Sequence, residues 1–220
     1  MVINNQAVWV FDLDDTIYPE YTYRDSGYQY ISDFLNNTYK VDLSDKIQLA
    51  HTSGKDVLAE ICDILQMPES FKSSLLWMYR LHIPNIKIDE SVKKTIEKVN
   101  DNCLGIAVIT DGRSISQRNK MAALELDYVD TLVSEEWDEV KPGTKRFLEI
   151  QQRYPNAKQF IYVGDNIKKD FITPNNLGWL TIGIRDSGFN IHPQNVPVAD
   201  DSYFPNLWVN SFSEIQDYIC

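Results

Sequence analysis

Three carboxylates close a short apolar run near the start of the chain: residues 8–11, VWVF, are followed by Asp12, Asp14 and Asp15, then by Thr16 and Pro19. Carboxylates held this close repel one another, so a folded chain must protonate some of them, pair them with cations or gather them on a metal. Further reactive side chains follow later apolar runs. Thr110 and Asp111 stand in VITDG, Lys141 in EVKPG, and Asp165, Asn166 and Asp170 in VGDNIKKD. If these ends share one rim, the chemistry is phosphoryl transfer. Asp12 and Asp165 offer hard oxygen ligands, which favour Mg²⁺ completed by waters and a substrate phosphate. Thr110 and the backbone amides of Asp111 and Gly112 suit phosphoryl oxygens, and Lys141 supplies charge against them. With that charge screened, Asp12 could attack phosphorus and form an aspartyl-phosphate. Asp14, on the same side of an extended segment, could protonate the leaving oxygen and then deprotonate the attacking water.

The elements that must position these groups follow from periodicity. After Pro19 about sixty residues read as helices, at residues 23–35, 46–50, 56–65 and 69–81, with the loop at 51–54 and Pro68 between them. From Pro84 onward, short apolar runs alternate with helical stretches. Strands are expected at 105–109, 128–133, 160–163 and 180–184, and helices at 89–99, 114–126, 143–154 and 169–177. Ser114 is a plausible helix cap, and Ser211 with Glu214 has capping-box spacing for a last helix at 213–219. The fold class is α/β: a Rossmann-like parallel sheet flanked by helices, with a small all-helical insertion. The domains are an α/β core at 1–19 and 85–220 and a helical unit at 20–84. Open parallel sheets bind ligands outside the carboxyl ends of their strands, where all the reactive groups fall.

Bulk properties exclude several classes. At 220 residues and 43% hydrophobic, the chain buries a full core. A net charge of -11 and no basic stripe exclude a nucleic-acid binder. Cys62, Cys103 and Cys220 are odd in number and unpaired in spacing, against a disulfide framework or zinc site. The longest early apolar run, residues 7–11, is too short for a signal or membrane segment, so a cytoplasmic protein without a membrane partner is expected. Nothing in the sequence specifies an oligomeric state.

DLDDT, ITDG, VKPG and GDNIKKD resemble, in order, the four motifs of the haloacid dehalogenase (HAD) superfamily of phosphohydrolases. The resemblance implies Asp12 as nucleophile, Asp14 as general acid and base, and Thr110 and Lys141 as phosphate contacts. It implies Mg²⁺ held by Asp12, the backbone carbonyl of Asp14 and Asp165, with Asp170 orienting Lys141 or a metal-bound water. The insertion is similar to the family's helical cap, which closes over the site and sets substrate choice. Asp111 stands where many relatives carry Asn, which points to its backbone amide as the substrate contact. Asp15 replaces a commoner glycine and is expected to face away from the site. Dehalogenases of this superfamily lack an acid at the position of Asp14, so the implied activity is hydrolysis of a small phosphorylated metabolite.

Rival readings are a phosphomutase of the same superfamily and a phospho-accepting signalling module without turnover. In receiver domains the lysine closes the series, whereas Lys141 precedes the GDN acids. An EF-hand starting at Asp12 fails, because Ile17 and Tyr23 occupy the positions needing Gly and Glu. His51, Ser53, Lys55 and Arg113 stay outside the expected site. His82 and His192 have no metal-ligand spacing, with His192 in a surface loop, and Arg118 and Lys120 are expected on the solvated face of their helix.

Overall fold

The first strand, β1 (Ala7–Phe11), is buried at all five positions. A parallel strand covered on both faces needs this, and its side chains divide by pleat: Trp9 and Phe11 enter one core layer, Val8 and Val10 the other. The computed structural model describes residues 3 and 5–219, so Cys220 and the outermost terminal residues of the expected core lie outside the described residues. After β1 come four helices, α1 (Glu20–Tyr39), α2 (Ser44–Thr52), α3 (Val57–Ile64) and α4 (Glu69–Leu81). The alternating part follows: α5 (Glu90–Asn102), β2 (Gly105–Thr110), α6 (Ser114–Ala123), β3 (Asp130–Val133), α7 (Ser134–Trp137), α8 (Lys145–Arg153), β4 (Gln159–Gly164), α9 (Ile172–Asn176), β5 (Leu180–Ile184) and β6 (Leu207–Val209).

The six strands lie in the order β3-β2-β1-β4-β5-β6, all paired in parallel. Strand order reverses at β1, so the crevice beyond its carboxyl end lies between β2 and β4. The register aligns Phe11 with both Val108 and Val163. Asp12, the residues after β2 and those after β4 therefore start from one level.

Helices α1 to α4 pack around a core of their own, built from residues such as Ile31, Leu35, Leu43, Ile61 and Leu75. This layer rests on α6, where the Ser116 hydroxyl donates to the Arg80 carbonyl at 3.1 Å and the Asn119 amide to that of His82 at 3.2 Å. Helix α1 runs past Asn36 and Asn37, where a stop is expected, because that stretch is solvent-exposed and an interior polar pair there costs little. It ends instead at Lys40, in the left-handed conformation with φ 60°. Gly27, mid-helix, is required by packing, since a Cβ there would lie 2.5 Å from the Tyr79 ring.

The chain's end differs from expectation. Residues Phe212–Tyr218 form a 3₁₀ helix, and Glu214 accepts from the Asn210 amide at 3.1 Å, so no capping box forms with Ser211. Ser114 begins α6 without capping it; its hydroxyl donates to Glu136. Strand β6 has three residues, too few to leave a periodic signal.

Candidate active site

A cavity of about 110 Å³ opens at the switch point, and every expected site residue lines it: Asp12, Asp14, Thr110, Asp111, Lys141, Asp165 and Asp170. Asp12 directly follows β1, and its N–H donates to the Val163 carbonyl at 2.8 Å, which fixes the start of the loop. Lys141 Nζ reaches Oδ1 of Asp12 at 2.6 Å and Oδ1 of Asp170 at 2.7 Å, and it is almost fully buried. Between two carboxylates the ammonium is stabilised: burial works against its charge, but Asp12 and Asp170 hold its pKa well above the ordinary value. Asp170 is otherwise saturated, since its other oxygen accepts the N–H of Asn166 at 2.8 Å and of Asp165 at 3.2 Å. It thereby shapes the β4 loop and aims Lys141.

Asp12, Asp165 and Asp170 each bring a buried carboxylate oxygen within 4.8 Å of the others. Burial, with Asp170 nearby, pushes Asp12 up to about 7, against the pull of Lys141. Burial and Asp170 push Asp165 to about 9. Two acids that burial and neighbouring carboxylates keep from ionising form a donor set of hard oxygens, and this fits Mg²⁺. Asp12 and Asp165 are the available pair, because Asp170 is committed to Lys141 and two amides.

Asp14 sits in different surroundings. Its Oδ1 accepts from Tyr18 at 2.5 Å and from Lys120 Nζ at 2.7 Å, and its Oδ2 from Gln117 Nε2 at 2.9 Å. Burial opposes ionisation, yet Lys120, Tyr18 and Gln117 together hold the carboxyl below its usual range. Lys120 is thus a buried partner of the site and not part of a solvated helix face; its ammonium also lies 4.2 Å over the Tyr23 ring of α1. Arg118 does stay on the exposed face, paired with Glu136.

Gln117 also donates to Thr110 Oγ1 at 2.5 Å, tying α6 to the fully buried hydroxyl at the end of β2. Asp111 turns its carboxylate toward Arg146, 2.7 Å away and fully buried, and it accepts the Lys141 N–H at 3.1 Å. Burial disfavours its charge, but Lys141 and Arg146 hold it ionised, below the usual range. Arg146 offered no local signal, being one basic residue in an amphipathic helix. The Gly112 N–H is taken by Ser134 Oγ at 2.9 Å, which withdraws it from the phosphate role read from sequence.

Two residues assigned away from the site line it. Asp15, at φ 55°, accepts the N–H of Glu20 and of Ile191, both at 2.8 Å, joining α1 to the loop after β5. His192 belongs to that loop and faces the cavity, as does Glu20 from the first turn of α1. From the same loop, Asn190 donates to Asp165 Oδ2 at 2.8 Å. Arg113 pairs with exposed Glu135, and Lys55 with Glu60, both outside the cavity.

The fold is a Rossmann-like α/β sheet with a cluster of acids at its switch point. More particularly, a family model described as haloacid dehalogenase-like hydrolase matches residues 9–184, and the chain belongs to that family. Among relatives, it is 23% identical to the glyceraldehyde 3-phosphate phosphatase of Methanocaldococcus jannaschii, over 96% of this chain and 95% of that one. Among solved structures, it is similar to a magnesium-bound HAD-hydrolase of Bacillus subtilis, with a TM-score of 0.68, 18% identity and coverage of 96% and 97%. A 2-haloacid dehalogenase of Pseudomonas syringae gives 0.64, 20% identity and coverage of 99% and 98%. No helix among the described residues is long and apolar enough to cross a membrane.

Proposed function

We propose that the protein is a Mg²⁺-dependent phosphomonoesterase acting on a small phosphorylated metabolite through an aspartyl-phosphate on Asp12. The observation that carries this reading is the division of labour between two neighbouring acids, each with its own buried lysine: Asp12 with Lys141, Asp14 with Lys120. A dehalogenase has no use for the second acid, and the archaeal relative named above is a phosphatase.

Mg²⁺, when held by Asp12, Asp165 and the backbone carbonyl of Asp14, supplies positive charge against the phosphoryl oxygens. The chain does the rest. Lys141 holds one oxygen of Asp12, leaving the other without a hydrogen bond among the described residues. That oxygen attacks phosphorus, the ester P–O bond breaks, and Asp14 passes a proton to the leaving oxygen. Water then attacks the phosphoaspartate, Asp14 takes the water's proton, and phosphate leaves with Asp12 restored. The contacts with Lys120, Tyr18 and Gln117 hold Asp14 as the carboxylate that the second half-reaction needs. The first half needs the protonated form, so Asp14 must loosen its Lys120 contact to act as an acid. Thr110 and Lys141 contact the phosphoryl group, residues 20–84 act as the cap over residues 1–19 and 85–220, and the setting is cytosolic, in keeping with the buried free thiol of Cys62.

Purified protein is expected to release p-nitrophenol from its phosphate ester with Mg²⁺ and to stop when the metal is chelated. Asp12→Asn is expected to abolish turnover and phosphoenzyme trapping; full activity in that variant refutes the nucleophile. Glyceraldehyde 3-phosphate belongs in the first substrate panel.

A further inference from the structure

Seven carboxylates line the site cavity, and six of them have protein donors. Lys141 and Lys120 serve Asp12 and Asp14, Arg146 serves Asp111, and Asn190 serves Asp165, while Asp15 and Asp170 accept backbone N–H groups. The seventh is Glu20. Among the described residues its carboxylate has no hydrogen bond and no ion pair, although it stands over the cavity from the first turn of α1. Partial burial, with Asp14 beside it, pushes its pKa up to about 7. Glu20 is half-buried, so a ligand that displaces water from the cavity must supply the donor its carboxylate lacks.

Position and charge say which part of the ligand. Asp12, Thr110 and Asp165 come from the strand ends, Lys141 from the loop between α7 and α8, and together they take the phosphoryl group, so Glu20, on the opposite helical layer, faces the leaving group. The cavity of about 110 Å³ holds on the order of ten non-hydrogen atoms, a phosphoryl group and a few more. Neither lining lysine is free for a second anion: Lys141 is shared by Asp12 and Asp170, and Lys169 lies 3.6 Å from Asp111. Burial, and Lys169 nearby, lower the pKa of His192, so it brings no positive charge at neutral pH.

Resting on the phosphatase reading, we propose that Glu20 determines substrate class: it accepts a hydrogen bond from a hydroxyl of a short, uncharged leaving group and rejects phosphate monoesters that carry a second anion. Glycerol phosphate and glyceraldehyde 3-phosphate belong to the accepted class, 3-phosphoglycerate to the rejected one.

The test compares phosphate release from glycerol phosphate, n-propyl phosphate and 3-phosphoglycerate, with p-nitrophenyl phosphate as a generic substrate, in wild type, Glu20→Gln and Glu20→Ala. The readout is the ratio of kcat/KM values within each protein, so a general loss of activity cancels. Wild type is expected to favour glycerol phosphate over each of the other two by roughly 10- to 100-fold, the worth of a hydrogen bond to a charged group. Glu20→Gln should cut the preference over 3-phosphoglycerate about tenfold, and Glu20→Ala should bring the preference over n-propyl phosphate close to unity. Release from p-nitrophenyl phosphate with 3-phosphoglycerate equal to glycerol phosphate, or with ratios unmoved in both variants, overturns the role of Glu20 alone. No release from any monoester overturns the phosphatase reading and this inference with it.

Discussion

Lys120 Nζ lies 2.7 Å from Oδ1 of Asp14, across 106 residues of sequence, and is itself buried. The pair fixes the rotamer and charge of the residue assigned to proton transfer. Lys120→Met removes the cation, so the pKa of Asp14 rises from its lowered value. The acidic limb of the kcat profile is then expected to move to higher pH, with kcat on an alkyl phosphate falling about a hundredfold. Lys120→Arg should restore part of both. An unmoved limb in Lys120→Met would show that the pair serves packing alone.

The Asp12 and Asp165 pair makes the metal-free protein sensitive to base. Their folded-state pKa values, about 7 and about 9, exceed the unfolded value near 3.8. Between pH 6.5 and 8.5 the fold therefore binds more protons than the unfolded chain, and stability falls as pH rises. The Tm without metal is expected to drop on the order of 5 °C across that window. Mg²⁺ should raise Tm more at pH 8.5 than at 6.5, and Asp165→Asn should flatten the slope. Calorimetry across pH checks all three.

Arg146, fully buried, donates to the Thr110 carbonyl at 2.8 Å and to Asp111 at 2.7 Å. Arg146→Met strands the partly buried Asp111 carboxylate and leaves the Thr110 carbonyl without its donor, and it is expected to cost about 3 kcal/mol, a Tm loss of roughly 10 °C. In Asp111→Leu/Arg146→Met the stranded charge is gone too, so the double variant should recover part of the loss. Strict additivity in denaturant unfolding would refute the coupling.

Gly164 ends β4 where a Cβ would lie 2.6 Å from Asp170 Oδ2. Asp170 is fully buried and cannot swing aside, so Gly164→Ala must displace it and, through it, Lys141. The expected result is a folded protein with kcat lowered about a hundredfold, the cost of a site group misplaced by about an ångström. Wild-type kcat in this variant would remove Asp170 from the chain of support.

The reactive loops after β1, β2 and β4 were legible from sequence because each is local: acids and hydroxyl sit within a few residues of an apolar run that announces a buried strand, whereas Lys141 arrives from the loop between α7 and α8. Strand ends then had to converge once the sheet was parallel. Helix α6 was legible as a helix but not as a wall of the site. Its buried face carries Ser116, Gln117, Lys120 and Met121, and polar residue types made that face look solvated. Their partners, Asp14, Thr110 and the Arg80 carbonyl, lie outside the helix, so no periodicity could reveal them. Asp15 was missed similarly, since what matters is the loop after β5 that closes against it, and Glu20 because only the folded α1 carries it to the cavity.

The central place of β1 also bears on the order in which the chain can assemble. AVWVF precedes both of its neighbours, residues 105–110 and 159–164, by about a hundred residues or more, so this wholly apolar strand is synthesised long before either can pair with it. The helices of residues 20–81 carry their own core and need no sheet to pack against one another. A nascent chain can complete that layer first and acquire the final setting of Asp12 only when the fourth strand arrives, so Asp12 is made before the helical layer and placed after it.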